Sequence, residues 1–494
     1  MARPAPLVVD LPVFEGGPQP AYQRLASRLR DLVLDGHLPS GSRLPAARVL
    51  ARDVGVSRTT VEEAYARLVD EGFVARRQGS GTFVAEIDVD RPRALPYDLE
   101  AGTPTPPALS EWAQAWATPT EAPWVVCSSP CRADEASVPL DEWRRTTARV
   151  LRDGADELLQ PPPPAGLPAL RRAIADHVAA FRGLRCRPEH VVVTTGTQQA
   201  LTVLSRVLLE RGDAVWAEDP GYAFARAAFE GVGARVEAVS VDDEGLDLEA
   251  ALEAEPYARL AYVTPSHQFP TGVVMSVDRR LALLRWAETA GAWIIEDDYD
   301  SEYRHVGRPL APLQSIDRDG RVVYVGTFNK SLFPGLRVGY AVVPDALAAP
   351  FAQAVRLLGG GPPVVAQACV SAFIAQGSLA SHLRRTRRTY RERCAALAHA
   401  LEDAAIPDLE VGPTDAGLHV CAWLPSGLED AAVALEVATS RVGVTALSSH
   451  YAAFDPDRHR GGLVIGYGRA DRSDVLEVVE RIAAACAAQL RDRD

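Results

Sequence analysis

Lysine is nearly missing from this chain of 494 residues: Lys330 stands alone against 51 arginines. A desolvated lysine can lose its proton and attack a carbonyl to form a Schiff base, and arginine cannot. Cysteine is scarce too, and seven scattered residues, odd in number, make no disulfide framework. Cys127 and Cys131 are close in sequence, yet no second Cys/His pair sits at zinc-like spacing, so free thiols and no metal are expected. No apolar stretch approaches membrane-spanning length, and no unbroken apolar core lies between Arg3 and Asp10. These absences set aside a membrane span and a secretory signal, and make a reducing cytoplasm the expected compartment. The net charge of −13 argues against a general polyanion-binding surface.

That charge is unevenly spread. Between Ala21 and Val84 ten arginines face seven acidic residues, a net of +3, so the remainder carries −16. A basic segment on an acidic body suits a nucleic-acid module joined to something else. Within it, Tyr22, Leu25, Leu29, Leu32 and Val33 recur at helical spacing up to Gly36. Leu44-Pro45 opens a second helix, Gly55-Val56 makes a turn, and Ser57 caps a third helix. Two short helices around a glycine turn are a helix-turn-helix pattern. Phe73–Ala75 and Thr82–Val84 then read as two strands of a hairpin wing. Arg58 at the start of the third helix can reach a guanine bidentately, while hydroxyls and helix N-terminal amides hold phosphate. Leu44-Pro45-Ala46-Ala47-Arg48, Gly55–Val61 and Gly79–Val84 resemble the winged helix-turn-helix of GntR-type regulators. The resemblance implies that Arg48, Ser57, Arg58, Thr59 and Thr60 meet double-stranded operator DNA, with Gly79 and Ser80 in the wing.

Residues 1–19 read as an arm, 20–84 as the DNA-binding domain, and 85–107, rich in proline, as a semi-rigid linker. From 108 to 494 strand-like and helical runs alternate, predicting an α/β body with a largely parallel sheet. A smaller C-terminal α+β subdomain is expected from about 365 to 494. Polar residues cluster where the strands stop, at the edge where such sheets bind ligands. Thr195-Gly196-Thr197-Gln198 joins a strand to a helix and can cradle a phosphate. Tyr222, Glu296-Asp297-Asp298-Tyr299 and Lys330 follow other strands. A ring, a carboxylate, a lysine and a phosphate cup are the set that pyridoxal 5'-phosphate requires.

With Thr264–Gly272 and Arg337, these motifs resemble fold-type I aminotransferases. The resemblance implies Lys330 as the Schiff-base lysine, Asp297 at the pyridine nitrogen, Tyr299 at the ring oxygen and Tyr222 stacked on the ring. Gly196, Thr197, Gln198, Thr327 and Arg337 would bind the phosphate. Gly466-Tyr467-Gly468-Arg469 resembles the segment whose arginine holds a substrate carboxylate, which makes Arg469 the effector candidate. Both halves together resemble the MocR/GabR regulators, whose members use the cofactor in a sensor and form head-to-tail homodimers. Two departures stand out. Phe269 occupies the place where aminotransferases carry Asn, and residues 161–164 are four prolines. Three functions stay open: a regulator sensing an amine or amino acid by external aldimine formation, a regulator sensing pyridoxal phosphate itself, and a working aminotransferase with an ancillary DNA-binding domain. Turnover with an amino acid and a 2-oxo acid separates the last from the others.

Overall fold

A computed structural model describes residues 19–87, 109–116, 130–307, 311–437 and 442–491. The expected arm, most of the expected linker, Cys127 and part of the stretch between Trp112 and Trp143 lie outside the described residues. The chain separates into two compact units, 1–108 and 109–494.

The first unit is built from α1 (Ala21–Leu34), α2 (Ala47–Asp53), α3 (Arg58–Asp70), β1 (Val74–Arg77) and β2 (Gly81–Val84). Leu25, Leu29, Leu32, Leu50, Val61, Ala64 and Leu68 recur at helical spacing and meet in one core. Gly55, between α2 and α3, has φ +70°, a left-handed conformation that glycine adopts without the steric cost a Cβ brings. Ser57 ends that turn and caps α3, its Oγ accepting from the Thr60 N–H at 3.0 Å. The wing strands pair antiparallel from Val74–Val84 to Arg77–Gly81, each longer by a residue than the sequence suggested.

The second unit holds an eight-stranded sheet. Its strands are β3 (Val191–Thr194), β4 (Ala214–Asp219), β5 (Arg235–Asp242), β6 (Gly245–Leu246), β7 (Leu260–Val263), β8 (Trp293–Asp298), β9 (Val322–Thr327) and β10 (Gly339–Val342). The order is β3-β10-β9-β8-β7-β4-β5-β6. Strands β5, β4, β7, β8 and β9 run parallel, while β10 lies antiparallel between β9 and β3. Val215, Leu260, Ile294, Ile295 and Val323 are fully buried, as expected of parallel strands covered on both faces. The strands that sequence pattern picked out are all present; β5, β6 and β10 were not anticipated. A second, antiparallel sheet contains β11 (Glu410–Val411), β12 (His419–Trp423), β13 (Val444–Ala446) and β14 (Gly462–Gly466), in the order β11-β12-β14-β13. Helices Ser378–Asp403 and Arg472–Arg491 belong to the same C-terminal part. Among the described residues no single helix is long and apolar enough to cross a membrane.

Candidate cofactor site and DNA interface

Parallel strands β7, β8 and β9, with the segments that follow β3 and β4, deliver side chains to one cavity of about 530 Å³. Of the nine residues expected at a cofactor, Thr197, Gln198, Tyr222, Asp297, Tyr299, Thr327, Lys330 and Arg337 line it. Gly196 stands just behind: its φ is +126°, and a Cβ there would lie 2.9 Å from Asn329 Nδ2 and 4.0 Å from Arg337 Nη1. A side chain would fill the cradle, so glycine is required for the backbone to open it to a ligand.

The alternation of β8 explains its run of three acids, because successive strand residues point to opposite faces. Glu296 and Asp298 face away from the cavity. Glu296 accepts the N–H groups of Leu313 and Gln314, at 2.9 and 3.0 Å. Asp298 pairs with Arg182 at 2.8 Å and accepts the Tyr324 hydroxyl at 2.6 Å. Asp297, between them, turns into the cavity. Its Oδ2 accepts the Tyr262 hydroxyl at 2.8 Å, while its buried Oδ1 has no partner. Burial pushes the Asp297 carboxyl up to about 7, against the lowering effect of the Tyr262 bond. A buried carboxylate oxygen without a donor is costly, and a pyridinium N–H would relieve that cost. The donor set thus fits pyridoxal phosphate, with Lys330 beyond the end of β9 on the same cavity.

Residues that sequence reasoning passed over complete the site. Tyr262, read only as part of a strand, is the donor to Asp297. Glu218, at the end of β4, accepts from the Thr264 N–H and hydroxyl and from the Gln268 amide. Burial pushes Glu218 up to about 7. His267 and Asp300 form a buried pair, and His419 lies near enough that the three could surround a metal ion. Their hydrogen bonds favour another reading. Asp300 meets His267 Nδ1 at 3.2 Å, and His419 bridges Cys131 Sγ and the Pro270 carbonyl at 3.2 and 3.1 Å. His267 was already part of the Thr264–Gly272 motif, but its pairing with Asp300 needed the fold.

Arg469 departs from expectation. It is not among the residues lining the cavity; its Nε pairs with Glu135 at 3.0 Å. The same carboxylate also pairs with Arg132, which does line the cavity. A chain segment over the C-terminal part causes this arrangement. A Cβ on Gly466 would sit 2.2 Å from the Pro130 carbonyl, and one on Gly468 2.0 Å from the Arg132 carbonyl. The glycines of the Gly-Tyr-Gly-Arg motif therefore admit the backbone of residues 130–132. Asp134, on the same segment, pairs with Arg393 at 3.0 Å.

In the first unit, Arg48, Ser57, Arg58, Thr59, Gly79 and Ser80 are exposed and Thr60 half-buried. The Ser57 hydroxyl is engaged by Thr60 as a cap, so it serves the helix as well as any ligand. Arg58 pairs with Glu62 at 2.8 Å across an exposed helix turn, a contact worth little and easily exchanged for DNA. Arg43, beside Gly81, and Arg77, packed over the Phe83 ring at 4.9 Å, add positive charge at the wing that the sequence reading did not single out.

Two family models match this chain: bacterial regulatory proteins of the gntR family over residues 21–84, and aminotransferase class I and II over residues 125–461. It is 37% identical to the probable rhizopine catabolism regulatory protein MocR of Rhizobium meliloti, covering 94% of each chain. It is 32% identical to the HTH-type pyridoxine biosynthesis transcriptional regulator PdxR of Corynebacterium glutamicum, covering 97% of this chain and 99% of that one. Among solved structures, the α-aminoadipate aminotransferase LysN of Thermus thermophilus, complexed with N-(5'-phosphopyridoxyl)-L-leucine, superimposes with a TM-score of 0.67 at 30% identity. That match covers 74% of this chain and 92% of LysN.

Proposed function

This chain belongs to the MocR-type HTH transcriptional regulators, which join a GntR-type DNA-binding domain to an aminotransferase-like domain, and from that premise we propose that its body senses an amine or amino acid. It is a DNA-binding transcription regulator with pyridoxal phosphate as its cofactor. The carrying observation is the cavity itself, in which Lys330 and a buried Asp297 with one bare oxygen converge. When bound, pyridoxal phosphate supplies an aldehyde with which primary amines condense and a ring that withdraws electrons. Lys330 Nζ is the one side-chain amine available to hold it. Asp297 Oδ1 would accept the ring N–H, Tyr222 would pack on the ring, and Gly196, Thr197, Gln198, Thr327 and Arg337 would hold the phosphate.

An acid group on the effector is received by Arg132, which lines the cavity, together with Arg469, which shares the Glu135 carboxylate with it, in competition with Glu135. Both guanidinium groups are held by the Glu135 carboxylate, so an effector acid group that replaced it would find charge-assisted donors already in place. An effector whose amine took the place of Lys330 and whose acid group took the place of Glu135 would give the body two states with different affinity for it, as coupling to DNA requires. The body binds better than it turns over, because Phe269 lines the cavity without offering any hydrogen-bond donor. We place the protein in the cytoplasm as a head-to-tail homodimer.

Operator binding measured without cofactor, with cofactor, and with cofactor plus a panel of amines tests this reading. An affinity change that needs both cofactor and amine is expected. A response to cofactor alone supports sensing of pyridoxal phosphate itself, the reading favoured by the similarity to PdxR. Rapid conversion of an amino acid to its 2-oxo acid, at about 1 per second or more as in ordinary enzymes, overturns it.

A further inference from the structure

The first described element after the expected linker is a short helix, α4 (Glu111–Trp116), in the second unit. Six residues make too few backbone bonds to hold a helix in water, so α4 stands only while it is docked. Its support is the helix Ala223–Glu230, which begins at the rim of the cofactor cavity. Two indoles make the contact. Trp112 Nε1 donates to the Ala227 carbonyl at 2.9 Å, and Trp116 Nε1 to the Glu230 carboxylate at 3.2 Å. Gly231 leaves room for the first indole, since a Cβ there would lie 3.3 Å from Trp112 Nε1. Trp112 and Trp116 nevertheless stay 47% and 37% exposed, so few contacts hold the docking and it can open at small cost.

Phe224 is where this docking meets the cavity. The Trp116 ring lies 6.4 Å from the Phe224 ring, tilted by 30°. Phe224 itself lines the cavity beside Tyr222, whose ring it meets edge-on at 5.7 Å. The Phe224 carbonyl accepts the side-chain amide of Gln198 at 2.9 Å. Tyr222 and Gln198, which hold Phe224 from the cavity side, are two of the residues expected at the cofactor.

We propose that α4 is a latch whose docking reports whether the cavity is filled. A cofactor that fixes Tyr222 and Gln198 also fixes Phe224, and with it the surface on which Trp116 rests. Filling the cavity and docking α4 therefore favour each other, and the coupling acts equally in both directions. Because α4 follows the linker, its docking fixes the body end of the chain that leads to the DNA-binding domain. The inference rests on the cofactor reading above.

The test is hydrogen–deuterium exchange of the full-length protein with and without pyridoxal phosphate, read by mass spectrometry on the peptide covering residues 109–116. Loading is expected to slow exchange in α4 about fivefold, the low end of ordinary couplings between two sites. Trp116→Ala should exchange fast in both states and, by reciprocity, bind the cofactor more weakly by about the same factor. Phe224→Leu keeps an apolar side chain at the rim but loses the ring that Tyr222 and Trp116 both meet. Its α4 should stay docked through Trp112 and no longer respond to loading. Exchange in α4 that is unchanged by loading, in a protein that shows the cofactor absorption band, overturns the proposal. So does an equal slowing in either variant, or cofactor affinity left intact by Trp116→Ala. Absence of any cofactor band from the unmutated protein would instead overturn the cofactor reading.

Discussion

At the scale of single residues, the site is a set of polar groups left incomplete by the protein alone. Asp297 is the clearest. In the cofactor-free protein its folded carboxyl titrates at about 7, raised by burial from the ordinary range. Between those two values the folded chain keeps a proton that the unfolded chain has lost, so stability falls as pH rises. Asp297→Asn removes that contribution. Urea unfolding of the cofactor-free protein should show the variant losing less stability than the parent between about pH 5 and pH 8, by roughly 1–3 kcal/mol. Equal losses would show that Asp297 is not held protonated. Glu135 gives a second prediction. If it competes with the effector's acid group, Glu135→Gln should tighten binding of acid-bearing amines about tenfold while amines lacking an acid group respond little, roughly the worth of a partly exposed pair of charge-assisted bonds. Spectral titration of the loaded protein reads both; weaker binding of acid-bearing amines in the variant would show that Glu135 helps hold them.

At the scale of elements, what sequence disclosed followed the local signals. The helix-turn-helix was legible because Gly55, Ser57 and the spacing of Val61, Ala64 and Leu68 are local, and so were the parallel strands β4, β7, β8 and β9, whose apolar runs are short and bounded. Strand β10 was hidden because Gly339–Val342 continues from the motif around Arg337, and its place between β3 and β9 is a long-range pairing. Lys330 was legible because it follows a strand and Asp297 because it ends a strand's apolar run, whereas Arg337 came from the family resemblance. Tyr262 was not, since within a strand nothing marks which tyrosine meets a carboxylate from the next strand. The placement of Arg469 was missed because Glu135 comes from a segment over three hundred residues away. At the reader, exposed Arg58 at the start of α3 predicts that Arg58→Ala weakens operator binding by about 1–3 kcal/mol if it reads a base. A phosphate role would instead weaken all sequences alike and lower the salt slope, and unchanged affinity would remove it from the interface.

At the scale of the whole molecule, two units with different chemistry share one chain: a basic reader, and an acidic body that carries a cofactor cavity. The absence of lysine elsewhere makes the account unusually open to test, because the cofactor's covalent partner can only be Lys330 or the chain's terminal amine. Borohydride reduction of the cofactor-loaded protein, followed by peptide mass analysis, measures this directly. The account predicts one added phosphopyridoxyl group, on the peptide containing Lys330, and none in Lys330→Ala. A label on any other peptide, or a reducible cofactor that survives in Lys330→Ala, would contradict it.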